Sequence, residues 1–199
     1  MESAETERLH RRGIRLERLT LTWNVVGVVV LAVAAVRSRS AALAGFGLDS
    51  LVEIGASMVV LWELSGEGVV RQRRALRLIG YAFVALAVYI AVQSTVVLAT
   101  GFHPKHSPLG IAWTASTAIV MFALAAGKTR TGAELDNPVL STEGRVTFID
   151  GLLALSVLVG LTLNSVAGAW WADPLAGFVI VFYGLKEANE IFRGDGSTA

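Results

Sequence analysis

The sequence predicts an all-α polytopic membrane protein with six transmembrane helices. Three observations lead there. The 199 residues are 54% hydrophobic and 17% charged, where soluble domains carry about 25% charged residues. Mean hydropathy is +0.60. The apolar residues fall into six blocks parted by short charged stretches, each approaching the ~20 residues that cross about 30 Å of hydrocarbon. This length suits one domain. Without a cysteine there are neither disulfides nor thiolate metal ligands. No nucleotide-binding motif is present, and nothing in the charge distribution suggests a nucleic-acid partner.

Residues 1–15 form a polar, arginine-rich segment. It is not a signal peptide, because the apolar block that follows is long enough to span and no small-residue cleavage site closes it. The six-helix domain is expected over residues 16–187, and 188–199 form a short tail. The first span runs Leu16–Val36, with Asn24 as its strong hydrogen-bonding residue, and Arg37–Ser40 is a loop. The second span is Ala41–Leu64. Ser65–Arg77 is a basic loop holding Arg71, Arg73, Arg74 and Arg77. The third span is Leu78–Thr100, with Gln93 inside it. Gly101–Gly110 is a turn-rich loop with His103 and His106. The fourth span is Ile111–Ala126, and Gly127–Asn137 reads as polar. Pro138 suits a first helical turn, so the fifth helix begins near Val139 and runs to Ala167. Asp173 followed by Pro174 reads as an N-cap and first helical residue, and the sixth span ends near Leu185.

With six spans, 14 of the 17 Lys and Arg fall on the side of the N-terminus. By the positive-inside rule both termini are cytoplasmic, in the inner cell membrane. Trp62, Trp113, Trp170 and Trp171 stand near span ends, where interfacial anchors belong.

The chemistry lies in the second span, GFGLDSLVEIGASMVVLWEL, which carries Asp49 and Glu53 inside an apolar run. Four residues apart on a helix, both carboxylates share one face, about one turn apart. A charge in hydrocarbon costs at least ~2.5 kcal/mol even on lenient scales, so the pair needs a partner. The fifth helix brings Asp150, with Glu143 seven residues earlier on roughly the same face. Small residues flank both acidic sites: Gly45, Gly47, Gly55, Ala56 and Ser57 in one helix, Gly151, Ala154 and Ser156 in the other. Small faces let membrane helices approach closely. Apart from Arg18 and Arg145 near span ends, the spans as drawn contain no Lys or Arg to neutralise carboxylates meeting there. A divalent cation, or protons when the ion has left, would do so. Oxygen ligands suit Mn, Fe(II), Co or Zn. The candidate metal ligands are therefore Asp49, Glu53, Asp150 and Glu143, with no prosthetic group. The bland alternatives are that the acids bond neutrally to Asn24 or Gln93 as interhelical glue, and that Glu143 is an ordinary first-turn acid.

The stretch Asp49-Ser50-Leu51-Val52-Glu53-Ile54-Gly55-Ala56-Ser57 resembles the corresponding helix of the cation diffusion facilitators, the zinc and manganese efflux family. That family has Asp-x-x-x-Asp there; this chain has Glu at the second place. Asp150 in the fifth span and Trp170-Trp171-Ala172-Asp173-Pro174-Leu175-Ala176 before the sixth are also similar to it. The resemblance implies a divalent-metal efflux transporter with Asp49, Glu53 and Asp150 as ligands of the transported ion near mid-membrane. It further implies alternating access, exchange against protons and a homodimer. The zinc-selective pattern has His four residues before the fifth-span Asp, where this chain has Val146, and so loses a ligand that favours tetrahedral zinc. The family's usual cytoplasmic domain does not follow the sixth span, which suggests a membrane-only branch. Two competitors stay open: a transport-inactive relative that pairs with an active partner or senses metal, and an intramembrane aspartyl protease. Against the protease, Gly-x-Gly-Asp is absent and Gly45–Asp49 is only a loose echo.

Overall fold

The described residues form six helices: α1 (Glu2–Ser38), α2 (Ala41–Leu64), α3 (Val69–Thr100), α4 (Pro108–Glu134), α5 (Pro138–Ala167) and α6 (Ala172–Gly196). The computed structural model describes residues 2–38, 41–66, 69–101 and 107–196. His103, His106 and the Asp173 side chain lie outside the described residues. Among the described residues five helices, α1 to α5, are long and apolar enough to cross a membrane, which makes this a multi-pass membrane protein.

The helices overrun the apolar blocks. Helix α1 begins at Glu2 instead of near Leu16, α3 begins at Val69 so that Arg71–Arg77 ride on it, and α4 continues to Glu134, past Ala126. The reason is that Lys, Arg, Glu and Gln are good helix formers, so a helix does not stop at the edge of the hydrocarbon. Real stops need a cap. Ser107 Oγ accepts the Gly110 N–H at 3.1 Å to open α4, with Pro108 at the first position. Asn137 Oδ1 accepts the Leu140 N–H at 2.9 Å to open α5, with Pro138 after it. Gly168 closes α5 at φ 65°, a left-handed conformation that glycine adopts without a Cβ penalty.

Packing follows two rings that share one edge. Helices α1, α2, α5 and α4 pack in a closed circuit, and α2, α3, α6 and α5 in a second. The shared edge is α2 against α5. Helix α5 is buried over more than half of its circumference, with Phe148, Leu155, Val159 and Val166 along the exposed face. The inward stripe of α1 is Gly13, Glu17, Thr20, Asn24, Gly27, Leu31, Ala34 and Ser38, at three- and four-residue spacing. Trp23 of α1 stacks on Trp113 of α4 at 4.9 Å between ring centroids, and its indole N–H donates to Thr117 Oγ1 at 3.1 Å. Trp113 thus also makes an interhelical contact.

Glycines set the close approach of α5 to α4. A Cβ on Gly144 would stand 2.8 Å from the Thr129 backbone nitrogen, and one on Gly132 2.6 Å from that of Ser141. Gly151 presents its bare side to Phe122. All three draw α5 onto α4, so the small residue beside Asp150 serves the α4–α5 contact and not the approach to α2.

Candidate intramembrane ion site

Asp49 and Glu53 of α2 are 2% and 3% exposed, Asp150 of α5 is 2%, and Glu143 is 0%. All four predicted residues thus point into the protein, along the shared α2–α5 edge. The two helices run antiparallel, so Asp49 lies level with Asp150 and Glu53 level with the turn before it. Asp49 and Asp150 lie close enough that each carboxyl acts on the charge of the other. Two ionised carboxylates so placed repel one another. Among the described residues, no hydrogen-bond donor reaches Asp49 Oδ2 or either oxygen of Asp150.

One turn along, the arrangement changes. Thr147 Oγ1 donates to Glu53 Oε1 at 2.9 Å and accepts from Lys128 Nζ at 2.9 Å. Lys128 lies 3.3 Å from Glu143 Oε1 and 3.1 Å from Glu17 Oε2, and all three side chains are completely buried. The expectation that no basic residue neutralises the buried acids is therefore wrong. Lys128, assigned above to a polar segment after the fourth span, is an interior residue because α4 continues and turns it inward. The four predicted acids divide into two sets. Among the described residues Asp49 and Asp150 form no ion pair with a basic side chain, whereas Glu143 is held by Lys128, and Glu53 is joined to Lys128 through Thr147. Among the described residues no three acidic or imidazole side chains are gathered tightly enough to hold an ion as they stand.

Three participants escaped the sequence reading: Glu17, Lys128 and Thr147. Asn24 donates within its own helix to Thr20 O at 3.2 Å. Glu63, at the end of α2, is buried and accepts from Asn137 Nδ2 at 3.2 Å, which ties the end of α2 to the cap of α5. Val146, one turn before Asp150, is 3% exposed, so the position where the zinc pattern has imidazole faces inward but carries no ligand atom.

A family model described as the cation efflux transmembrane domain matches residues 75–197, more than half of the chain. The chain belongs to the cation efflux family. Transmembrane protein 163 of Xenopus laevis is 25% identical over 201 residues, spanning 94% of this chain and 72% of that protein. Membership in the cation efflux family makes the protein a membrane cation transporter. The matched segment includes Lys128, Glu143, Thr147 and Asp150; Glu17, Asp49 and Glu53 precede it.

Proposed function

We propose that the protein moves a divalent transition-metal ion out of the cytoplasm in exchange for protons, with Asp49, Asp150 and Glu53 as the oxygen ligands. The observation that carries this is the Asp49–Asp150 pair: two carboxyls from different helices, close together, buried, with oxygens that no donor among the described residues reaches. In ion-free protein a proton between them relieves the repulsion. An arriving dication supplies two charges in its place and releases the proton. Glu53 and the Thr147 hydroxyl stand one turn away as further oxygens, reached by side-chain rotation. The donor set is all oxygen, which suits Mn, Fe(II) and Co at least as well as Zn. Glu143 enters as a ligand only when Lys128 lets it go.

The same reading takes six spans, with α6 as the last, both termini in the cytoplasm, the inner membrane as location and a homodimer as the working unit. With Lys128 counted as interior, the remaining Lys and Arg still fall mostly on the N-terminal side.

A second reading has one observation in its favour. Lys128 already neutralises part of the buried charge, as a structural network in a transport-inactive relative would require. Uptake of Mn, Zn, Co, Fe(II) and Cd into proteoliposomes under a pH gradient decides between them. Transport that disappears in Asp49→Asn and Asp150→Asn supports the carrier. Equal uptake by the variants removes the site, and an inert wild type with normally folded variants favours the second reading.

A further inference from the structure

A groove of about 830 Å³ opens on the outside of the bundle between α4, α5 and α6. It lies apart from the ion site and is unrelated to the transport reading. Its floor and walls are mainly apolar, with Phe122 and Phe148 in tilted contact at 5.4 Å and Leu152 beyond them. One end is basic. Arg130 of α4, Arg145 of α5 and Lys186 of α6 line it, with Glu190 as the acidic member of the lining. Glu190 sits 3.8 Å from Lys186, and Arg145 Nη2 donates to Thr142 Oγ1 at 3.1 Å. Among the described lining residues, three carry a cationic side chain and one a carboxylate. Phe122 lies eight residues before Arg130, and Leu152 seven after Arg145, so the groove follows the helices for ~12 Å.

We propose that this groove binds an anionic phospholipid, with its phosphate at Arg130, Arg145 and Lys186 and an acyl chain along Phe122, Phe148 and Leu152. A basic pocket between membrane helices at the headgroup level, continued by an apolar trough, matches both halves of such a lipid. A second copy of the chain fits less well. A two-fold contact through this face would bring the two basic rims together, and like charges across an interface are repulsive.

The test uses the full chain, purified and then incorporated into bilayers of phosphatidylcholine with or without phosphatidylglycerol. Lipid retained after re-extraction is counted by native mass spectrometry. Wild type is expected to keep phosphatidylglycerol in preference to phosphatidylcholine. The double variant Arg130→Gln/Arg145→Gln should lose roughly fivefold in retention per cation removed. A matched pair, Arg12→Gln/Arg15→Gln, takes the same charge from the exposed face of α1 and should retain lipid as wild type does. Ala126→Trp, which fills the trough without touching the rim, should also release the lipid. Equal loss from both arginine pairs would mean general surface charge and would overturn the site. So would full displacement by inorganic phosphate, or charge variants that change the proportion of dimer and not the lipid count.

Discussion

Replacing Lys128 by Met tests the buried triad directly. The ammonium stands 3.1 Å from Glu17 and 3.3 Å from Glu143, with all three side chains at 0% exposure. At an effective dielectric of about 20, unit charges at that separation attract by ~5 kcal/mol per pair before desolvation is counted. The net worth of the triad is much smaller, because removing three ions from water opposes it. The variant does not measure that net worth. It leaves two carboxylates buried without a counter-charge, and breaking a buried pair in this way costs about 3–5 kcal/mol. Thermal unfolding in detergent should therefore fall by on the order of 10 °C. Adding Glu17→Gln and Glu143→Gln removes the stranded charges and should return most of the loss, since neutral replacements of a whole buried ion cluster are often close to neutral in stability. A Lys128→Met protein as stable as wild type would refute the triad. A triple variant no more stable than the single one would assign the loss to packing instead of charge.

Other changes separate function from stability. Asp49→Asn and Asp150→Asn should each cut transport at least tenfold, because a charge-assisted oxygen contact worth about 1.5–3 kcal/mol is lost, yet melting of the ion-free protein should hold or rise, because a neutral amide is cheaper to bury than a carboxylate. Thr147→Val takes the hydroxyl from both Lys128 and Glu53 and should cost about 1–3 kcal/mol in chemical unfolding, with Thr147→Ser recovering it. Gly144→Ala forces a Cβ against the α4 backbone and should destabilise by about 1–3 kcal/mol, whereas Gly55→Ala meets nothing within 4 Å and should be neutral or stabilising by up to ~1 kcal/mol. Val146→His places imidazole on the inward face one turn from Asp150; competition uptake should shift toward Zn over Mn, and an unchanged ratio would show that this position does not see the ion.

Asp49, Glu53 and Asp150 were legible because a carboxylate inside an apolar run has no bland surroundings to hide in. Glu17 and Lys128 were not, for the opposite reason. Glu17 sits between Arg15 and Arg18, and Lys128 opens a stretch with Arg130, Glu134 and Asp136. Average polarity there says surface, although the helix continues through both stretches. Periodicity holds the signal that averaging removes. On α4 the buried positions Met121, Leu124, Ala125, Lys128, Thr131 and Gly132 keep the spacing of one helical face, and on α1 Glu17 keeps step with Gly13, Thr20 and Asn24. Following the apolar stripe past the end of the apolar block would have turned both charges inward. Thr147 is a different case. A hydroxyl three residues before Asp150 is an unremarkable sequence feature, and its role comes from α4 bringing a lysine to it.

The buried charge is graded along the α2–α5 edge, and that gradient bears on how an ion is held. At one end Asp49 and Asp150 form no ion pair with a basic side chain among the described residues; at the other, Glu143 and Glu17 share Lys128; Glu53 stands between, two hydrogen bonds from the ammonium. Those two bonds put Lys128 Nζ no more than about 6 Å from Glu53 Oε1, so a dication resting on Glu53 would be repelled by the ammonium by roughly 5 kcal/mol at an effective dielectric of 20. An ion is then best placed between the aspartates, with Glu53 as the ligand that must choose between the ion and its bond from Thr147. Under the transport reading this makes binding and release depend on one threonine rotamer and one lysine position. It also explains why the site carries more carboxylates than a dication needs: part of the negative charge is reserved for a cation that never leaves.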